Sequence, residues 1–114
     1  MEVFVMKLVI AIVQDEDSSR LVNKLMDGGY RVTKLATTGG FLKAGNTTLL
    51  VGVEDEQLTD LMAGIEKVCK SRKQIATAPT SMSGMNGAYS PYPIEVLVGG
   101  ATVFVLTVDQ FIKL

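Results

Sequence analysis

Hydrophobic and polar positions alternate along this chain with periods that change from segment to segment. LVIAIV (residues 8–13) is a continuous apolar run, as a central strand covered on at least one face requires. QDEDSS follows and predicts a helix start, with Asp15 or Asp17 accepting first-turn amides as the N-cap. Leu21, Val22, Leu25 and Met26 then share one helical stripe, and Gly28-Gly29 suits a left-handed C-terminal turn. YRVTKLATT (residues 30–38) is rich in β-branched residues, and TTLLVGV (residues 47–53) puts Leu49, Val51 and Val53 on one face of a strand. A second helix is predicted from Leu58, Leu61, Met62, Ile65, Val68 and Cys69, with EDEQ at its positive end and KVCKSRK at its negative end. IATAPTSMSGMNGAYSPYP (residues 75–93) has neither period and predicts a long flexible loop, of a length that is usually either functional or disordered. IEVLV (residues 94–98) and ATVFVLTV (residues 101–108) flank Gly99-Gly100, a hairpin signal, with a β-bulge in one longer strand as the alternative. The order β-α-β-β-α-β, its last strand possibly doubled, predicts an α+β ferredoxin-like sandwich.

Composition narrows this picture. A chain of 114 residues, 47% hydrophobic and 20% charged, suits one domain over residues 1–114 that buries roughly two-thirds of its unfolded surface. A net charge of -1 supplies no global attraction to a nucleic acid polymer or a membrane, so any anion site is local. Two windows free of acids supply candidates: residues 28–53 carry Arg31, Lys34 and Lys43, and residues 67–94 carry Lys67, Lys70, Arg72 and Lys73. The lone Cys69 and the absence of histidine exclude an internal disulfide and a cysteine-histidine metal centre. The lone cysteine makes a cytoplasmic protein the expectation, and VFVMKLVIAIV (residues 3–13), too short for a bilayer span of about 20 residues, reads as a buried strand. Met6-Lys7 suits a natural start, with residues 1–5 as an extension.

The candidate chemistry lies in a short loop, residues 37–46. GFLKAGNT (residues 40–47) falls one residue short of a P-loop, but Asn46 replaces the lysine and a strand follows where a helix N-terminus is needed. Gly39-Gly40 can still form a concave nest of amides for an anion, with Arg31 adding charge and Thr33 a hydroxyl. Phe41 suits stacking on a base, and Asn46 suits the paired donor and acceptor of an adenine edge. A plain hairpin loop, with Phe41 folded on the sheet and Asn46 capping backbone, explains the same residues through turn chemistry. Met82 and Met85 suit either a mobile linker or adaptable contacts, and Asp15, Glu16 and Asp17 suit helix capping better than metal binding. A histidine-dependent kinase is excluded, and the aromatic strands of an RNA-recognition fold are absent. An acylphosphatase-like hydrolase using Arg31 and Asn46 stays as an alternative function, and an interaction module built on the long loop as another.

KLVIAIVQDEDS, RVTKLATTGGFLKAGNTTLLVGV and PYPIEVLVGGATVFVLTVD together resemble the PII-like cyclic di-AMP receptor family of Gram-positive bacteria, called PstA or DarA. The resemblance runs from Met6 onward and is weakest in the helix exteriors and residues 77–90. It implies a cytoplasmic signal-transduction receptor without enzymatic activity or cofactor, a homotrimer of ferredoxin-like subunits, and one cyclic di-AMP in each cleft between neighbours. It also implies loops that change conformation with the ligand and an unidentified downstream protein partner. Carried over, Arg31 and Thr33 would face the ligand, Gly40, Phe41 and Leu42 would wrap it, and Asn46 would read an adenine. Gly52 would leave room, and Phe104 would come from the last strand. The chain departs from the family at Gly29, where an asparagine is usual, and at Lys113, which stands where the family has a glutamine contact.

Overall fold

The computed structural model describes residues 5–35, 45–78 and 92–114. The chain runs β1 (Met6–Gln14), α1 (Asp15–Asp27), β2 (Val32–Leu35), β3 (Asn46–Glu54), a 3-10 turn (Asp55–Gln57), α2 (Leu58–Cys69), β4 (Arg72–Ala78), β5 (Tyr92–Val98) and β6 (Ala101–Val108). Four strands form a sheet in the order β2-β3-β1-β6, antiparallel at every pairing. This is the ferredoxin-like order that the strand and helix periods predict.

Strand alternation decides which face of that sheet is covered. Val9, Ala11 and Val13 from β1 and Leu49, Val51 and Val53 from β3 form one core with Leu21 and Leu25 of α1 and Leu61, Ile65 and Cys69 of α2. Each buried aliphatic side chain contributes about 1.5–3 kcal/mol of transfer free energy. The alternate residues of the same strands face away from the helices. Leu8, Ile10, Ile12 and Leu50 are only partly covered there, and Phe104 and Leu106 of β6 remain 51% and 47% exposed. Met26, expected on the buried stripe of α1, is instead 59% exposed; the core ends one position short of it, at Leu25.

The end of α1 is fixed by a Schellman motif. Tyr30 N–H donates to the Leu25 carbonyl at 3.0 Å and Gly29 N–H to that of Met26 at 3.0 Å, which places Gly29 in the left-handed region at φ 88°. Tyr30 is thereby turned back toward the core, and β2 begins only at Val32 rather than at residue 30. At the start of α2, Glu54 and Gln57 form a reciprocal capping box.

Two expectations fail in the second half of the chain. Gly99-Gly100 does not close a hairpin: β5 pairs with β4 in a separate two-stranded ribbon, and β6 pairs with β1. The ends of the segment read as loop, residues 75–78 and 92–93, belong to that ribbon. Gly99 and Gly100 have φ of 82° and 90°. Their amides are used away from any turn, Gly99 N–H donating to Gln14 Oε1 at 2.7 Å and Gly100 N–H to the Cys69 carbonyl. The consecutive left-handed residues swing the chain out of the ribbon and into the sheet.

Candidate ligand-binding cleft

On the open side of the sheet a cleft of about 670 Å³ is lined by Met6, Leu8, Leu50 and Gly52 from β1 and β3, and by Arg31 and Thr33 at β2. The segment after β6 closes one wall with Phe111, Ile112 and Lys113, and Gly29, Tyr30 and Gln57 complete the lining. The volume falls within the range of small-molecule sites. Its electrostatics are one-sided: Arg31 and Lys113 line it, and among the described residues no carboxylate does. Neither cation has an ion-pair partner among the described residues. An apolar floor with two uncompensated cations and the Thr33 hydroxyl suits an anion that also carries apolar surface.

Gly52 shapes the floor. A Cβ built there would meet only Met6 Cε, at 3.9 Å, an ordinary contact, and its φ is not left-handed. The fold itself therefore does not demand glycine at this position. What the missing side chain provides is space above the sheet, in the cleft.

The eight residues singled out in the sequence separate into three groups. Arg31, Thr33 and Gly52 come together in the cleft. Asn46 and Phe104 do not line it, although both are exposed. Asn46 opens β3 opposite Gln14, six residues and roughly 20 Å along the strand from Gly52. Phe104 lies opposite Ile10, and Ile10 opposite Leu50, which pairs with Thr33. Phe104 is thus three strand spacings, about 14 Å, from Thr33 on the same face. Gly40, Phe41 and Leu42 lie outside the described residues, as do Lys43, Met82 and Met85. Because Arg31 lines the cleft at the Gly52 end of β3 and Asn46 opens the other end, the pair a phosphohydrolase would need around one phosphoryl group is not assembled within the chain.

Phe111 is a cleft residue that sequence reasoning missed. It follows the last strand in a segment without periodicity; its only signal was an aromatic side chain near the end of a polar stretch. The two positions that depart from the family resemblance, Gly29 and Lys113, both fall in the lining.

The expected N-cap role of Asp15 or Asp17 is not observed. Gln14 occupies the cap position without a side-chain cap bond, and the carboxylates are used elsewhere. Asp15 accepts the Thr47 hydroxyl, and its N–H donates to the Gly45 carbonyl at 2.8 Å. Asp17, 1% exposed, accepts Arg72 at 2.9 and 3.4 Å and Arg20 at 3.0 Å. The Asp17 hydrogen bond raises the already high pKa of Arg72. Burial, and next the Asp17 carboxylate, push the neighbouring Cys69 thiol up from its ordinary value. The β1–α1 junction therefore touches the end of the short loop through Asp15, and the root of the β4–β5 ribbon through Gln14 and Asp17.

Comparison with known proteins agrees with this architecture. A family model described as "Cyclic-di-AMP receptor" matches residues 6–114. A functionally unknown protein from Pediococcus pentosaceus superposes with a TM-score of 0.77 at 44% identity, over 98% of this chain and 100% of that one. A PII protein of Arabidopsis thaliana, solved with citrate bound, superposes at 0.61 with 18% identity over 96% of this chain and 83% of its own. A DUF3240 family protein from Shewanella baltica reaches 0.52 at 12% identity, over 96% of each chain. The two distant likenesses show a shared fold, and that fold is PII-like.

Proposed function

The chain belongs to the cyclic-di-AMP receptor family, and from that premise we propose that it binds cyclic di-AMP with the cleft at Arg31, Thr33 and Gly52 as the core of the site. The observation that carries this reading is an acid-free cleft on a sheet face whose floor is opened by a glycine the fold does not need. Asn46 and Phe104 share that face but lie too far away to join the cleft within one chain. A ring of copies supplies Phe104. The sheet has two different edges, β2 and β6, and pairing unlike edges is a heterologous contact, which makes a ring when its rotation closes. A homotrimer built this way brings Phe104 of one copy beside Thr33 of the next and covers the partly exposed apolar face. Asn46 then reads one adenine, Phe41 stacks on a base, and Gly40 and Leu42 wrap the ligand from the short loop.

The protein acts as a cytoplasmic signalling receptor rather than an enzyme. Ligand binding changes the conformation of the loops at residues 37–46 and 75–93 and with it the engagement of a downstream protein. Any such change needs contacts that differ between the bound and free states. The β1–α1 junction offers the route, because Gln14, Asp15 and Asp17 between them hold the end of the short loop and the root of the ribbon.

Calorimetric titration with cyclic di-AMP, with cyclic di-GMP as control, tests the reading. Saturable heat for the adenine dinucleotide alone is expected, and it should vanish in Arg31→Ala. No heat with protein and ligand in the micromolar range would overturn it.

A further inference from the structure

A second concave surface lies on the helical side, remote from the cleft at Gly52. It measures about 480 Å³ and is lined by Arg20 and Lys24 of α1, Lys67 and Val68 of α2, Lys70 and Ser71 of the connection, and Arg72 at the start of β4. Five cations thus converge from four segments of structure, α1, α2, the connection after it and β4, while the one carboxylate bound to them among the described residues, Asp17, is buried beneath. Lys67, Lys70 and Arg72 come from the second acid-free window of the sequence, which the ligand cleft does not use. Lysines near helix C-termini complement the helix dipole, and that accounts for Lys24 and Lys67 singly. It does not account for a concavity that gathers both helix ends with two arginines and a further lysine.

We propose that this surface docks an acidic segment, rich in aspartate and glutamate, of a protein partner. Three features select that chemistry over a phosphate or nucleotide ligand. The lining has no aromatic ring on which a base would stack. It has no glycine whose amides would cradle a phosphate. The guanidinium groups, the best forks for phosphate, are already engaged by Asp17. The outward charges without an ion-pair partner among the described residues are then Lys24, Lys67 and Lys70, beside Arg20, which stays 63% exposed while bound to Asp17. Compact ammonium groups on flexible stems pair with carboxylates of a peptide without fixed geometry. Because the site includes Ser71 and Arg72, an occupant touches the root of the ribbon. The inference stands on the helical side of the sheet and does not depend on the identity of the ligand on the other.

Fluorescence anisotropy with a labelled oligoglutamate peptide and the intact protein tests the proposal. Saturable binding is expected at about 0.1 M salt, where charges are screened over about 10 Å, and its loss is expected at about 1 M, where the length is about 3 Å. Lys67→Glu with Lys70→Glu should weaken binding about tenfold or more, with far-UV circular dichroism unchanged. Lys34→Glu with Lys43→Glu makes the same charge change in the first acid-free window instead of the second and should leave binding within about twofold. Equal losses in the two double variants would mean bulk charge attraction and would overturn the site. Absence of saturable peptide binding, or tighter binding of inorganic triphosphate or single-stranded RNA than of the peptide, would overturn the acidic-segment assignment.

Discussion

Gly52 stands in the middle of β3 between two core valines, Val51 and Val53, where most residue types would add packing and stiffness. Glycine in a strand interior costs roughly 0.5–1 kcal/mol of stability relative to alanine. Since a Cβ there meets only Met6 Cε at 3.9 Å, the Gly52→Ala protein should unfold at an equal or slightly higher denaturant concentration. The same methyl group intrudes on the cleft floor, and overpacking a fitted site costs about 1–3 kcal/mol. Cyclic di-AMP affinity should therefore fall by about tenfold or more, as read by calorimetry on the ligand-free protein. Unchanged affinity would remove Gly52 from the floor of the site. Among single residues, Arg31 and Thr33 were legible as candidate chemistry because charge and hydroxyl stand two apart in the segment that enters the short loop. Gly52 was not, because an absent side chain has no sequence signal apart from resemblance. The role of Asp17 was misread for a related reason: an acid in a helix's first turn looks like a cap until its burial beside two arginines is known.

At the scale of elements, the junctions carry more information than the strands they join. Gly99 has φ 82°, and a Cβ there would lie 2.8 Å from the Lys70 carbonyl and 3.1 Å from that of Cys69, besides 2.5 Å from Arg72 Nη1. The carbonyls belong to backbone that cannot yield as a flexible side chain does. Gly45 has φ 103° but no described residue within 4 Å of its would-be Cβ. Gly45→Ala should thus cost only the left-handed strain, about 1–2 kcal/mol, and Gly99→Ala clearly more, as measured by urea unfolding of both variants. Equal costs would show that the approach of Gly99 to the end of α2 is relaxed at no expense. The two helices and the central strands were readable because their periods arise from one amphipathic face each. β4 was not. RKQIATA lacks a strong alternation, and its strand character comes from pairing with β5, in which Arg72 faces Val98. A partner so distant in the chain leaves no local trace.

Across the whole molecule, one sheet face is sealed by helices and the other presents Leu8, Ile10, Leu50, Phe104 and Leu106 with incomplete cover. The expected trimer buries this face, and Leu106 pairs in register with Leu8 on it. Leu106→Asp places a charge in that contact without touching the helix-side core. The parent protein should sediment as a trimer and this variant as a monomer, with far-UV circular dichroism unchanged. A trimeric variant would show that the open face is not the assembly surface. The sequence by itself determined the ferredoxin-like order of strands and helices, the identity of most core residues and the basic character of two windows, since each rests on local period or local composition. Only the tertiary structure decided that Gly99-Gly100 leaves a ribbon instead of closing a hairpin, that Arg31, Thr33, Gly52 and Lys113 share one cleft, and that the second basic window joins Arg20 and Lys24. Those outcomes depend on contacts between segments far apart in the chain, which strand pairing and burial create and no local pattern encodes.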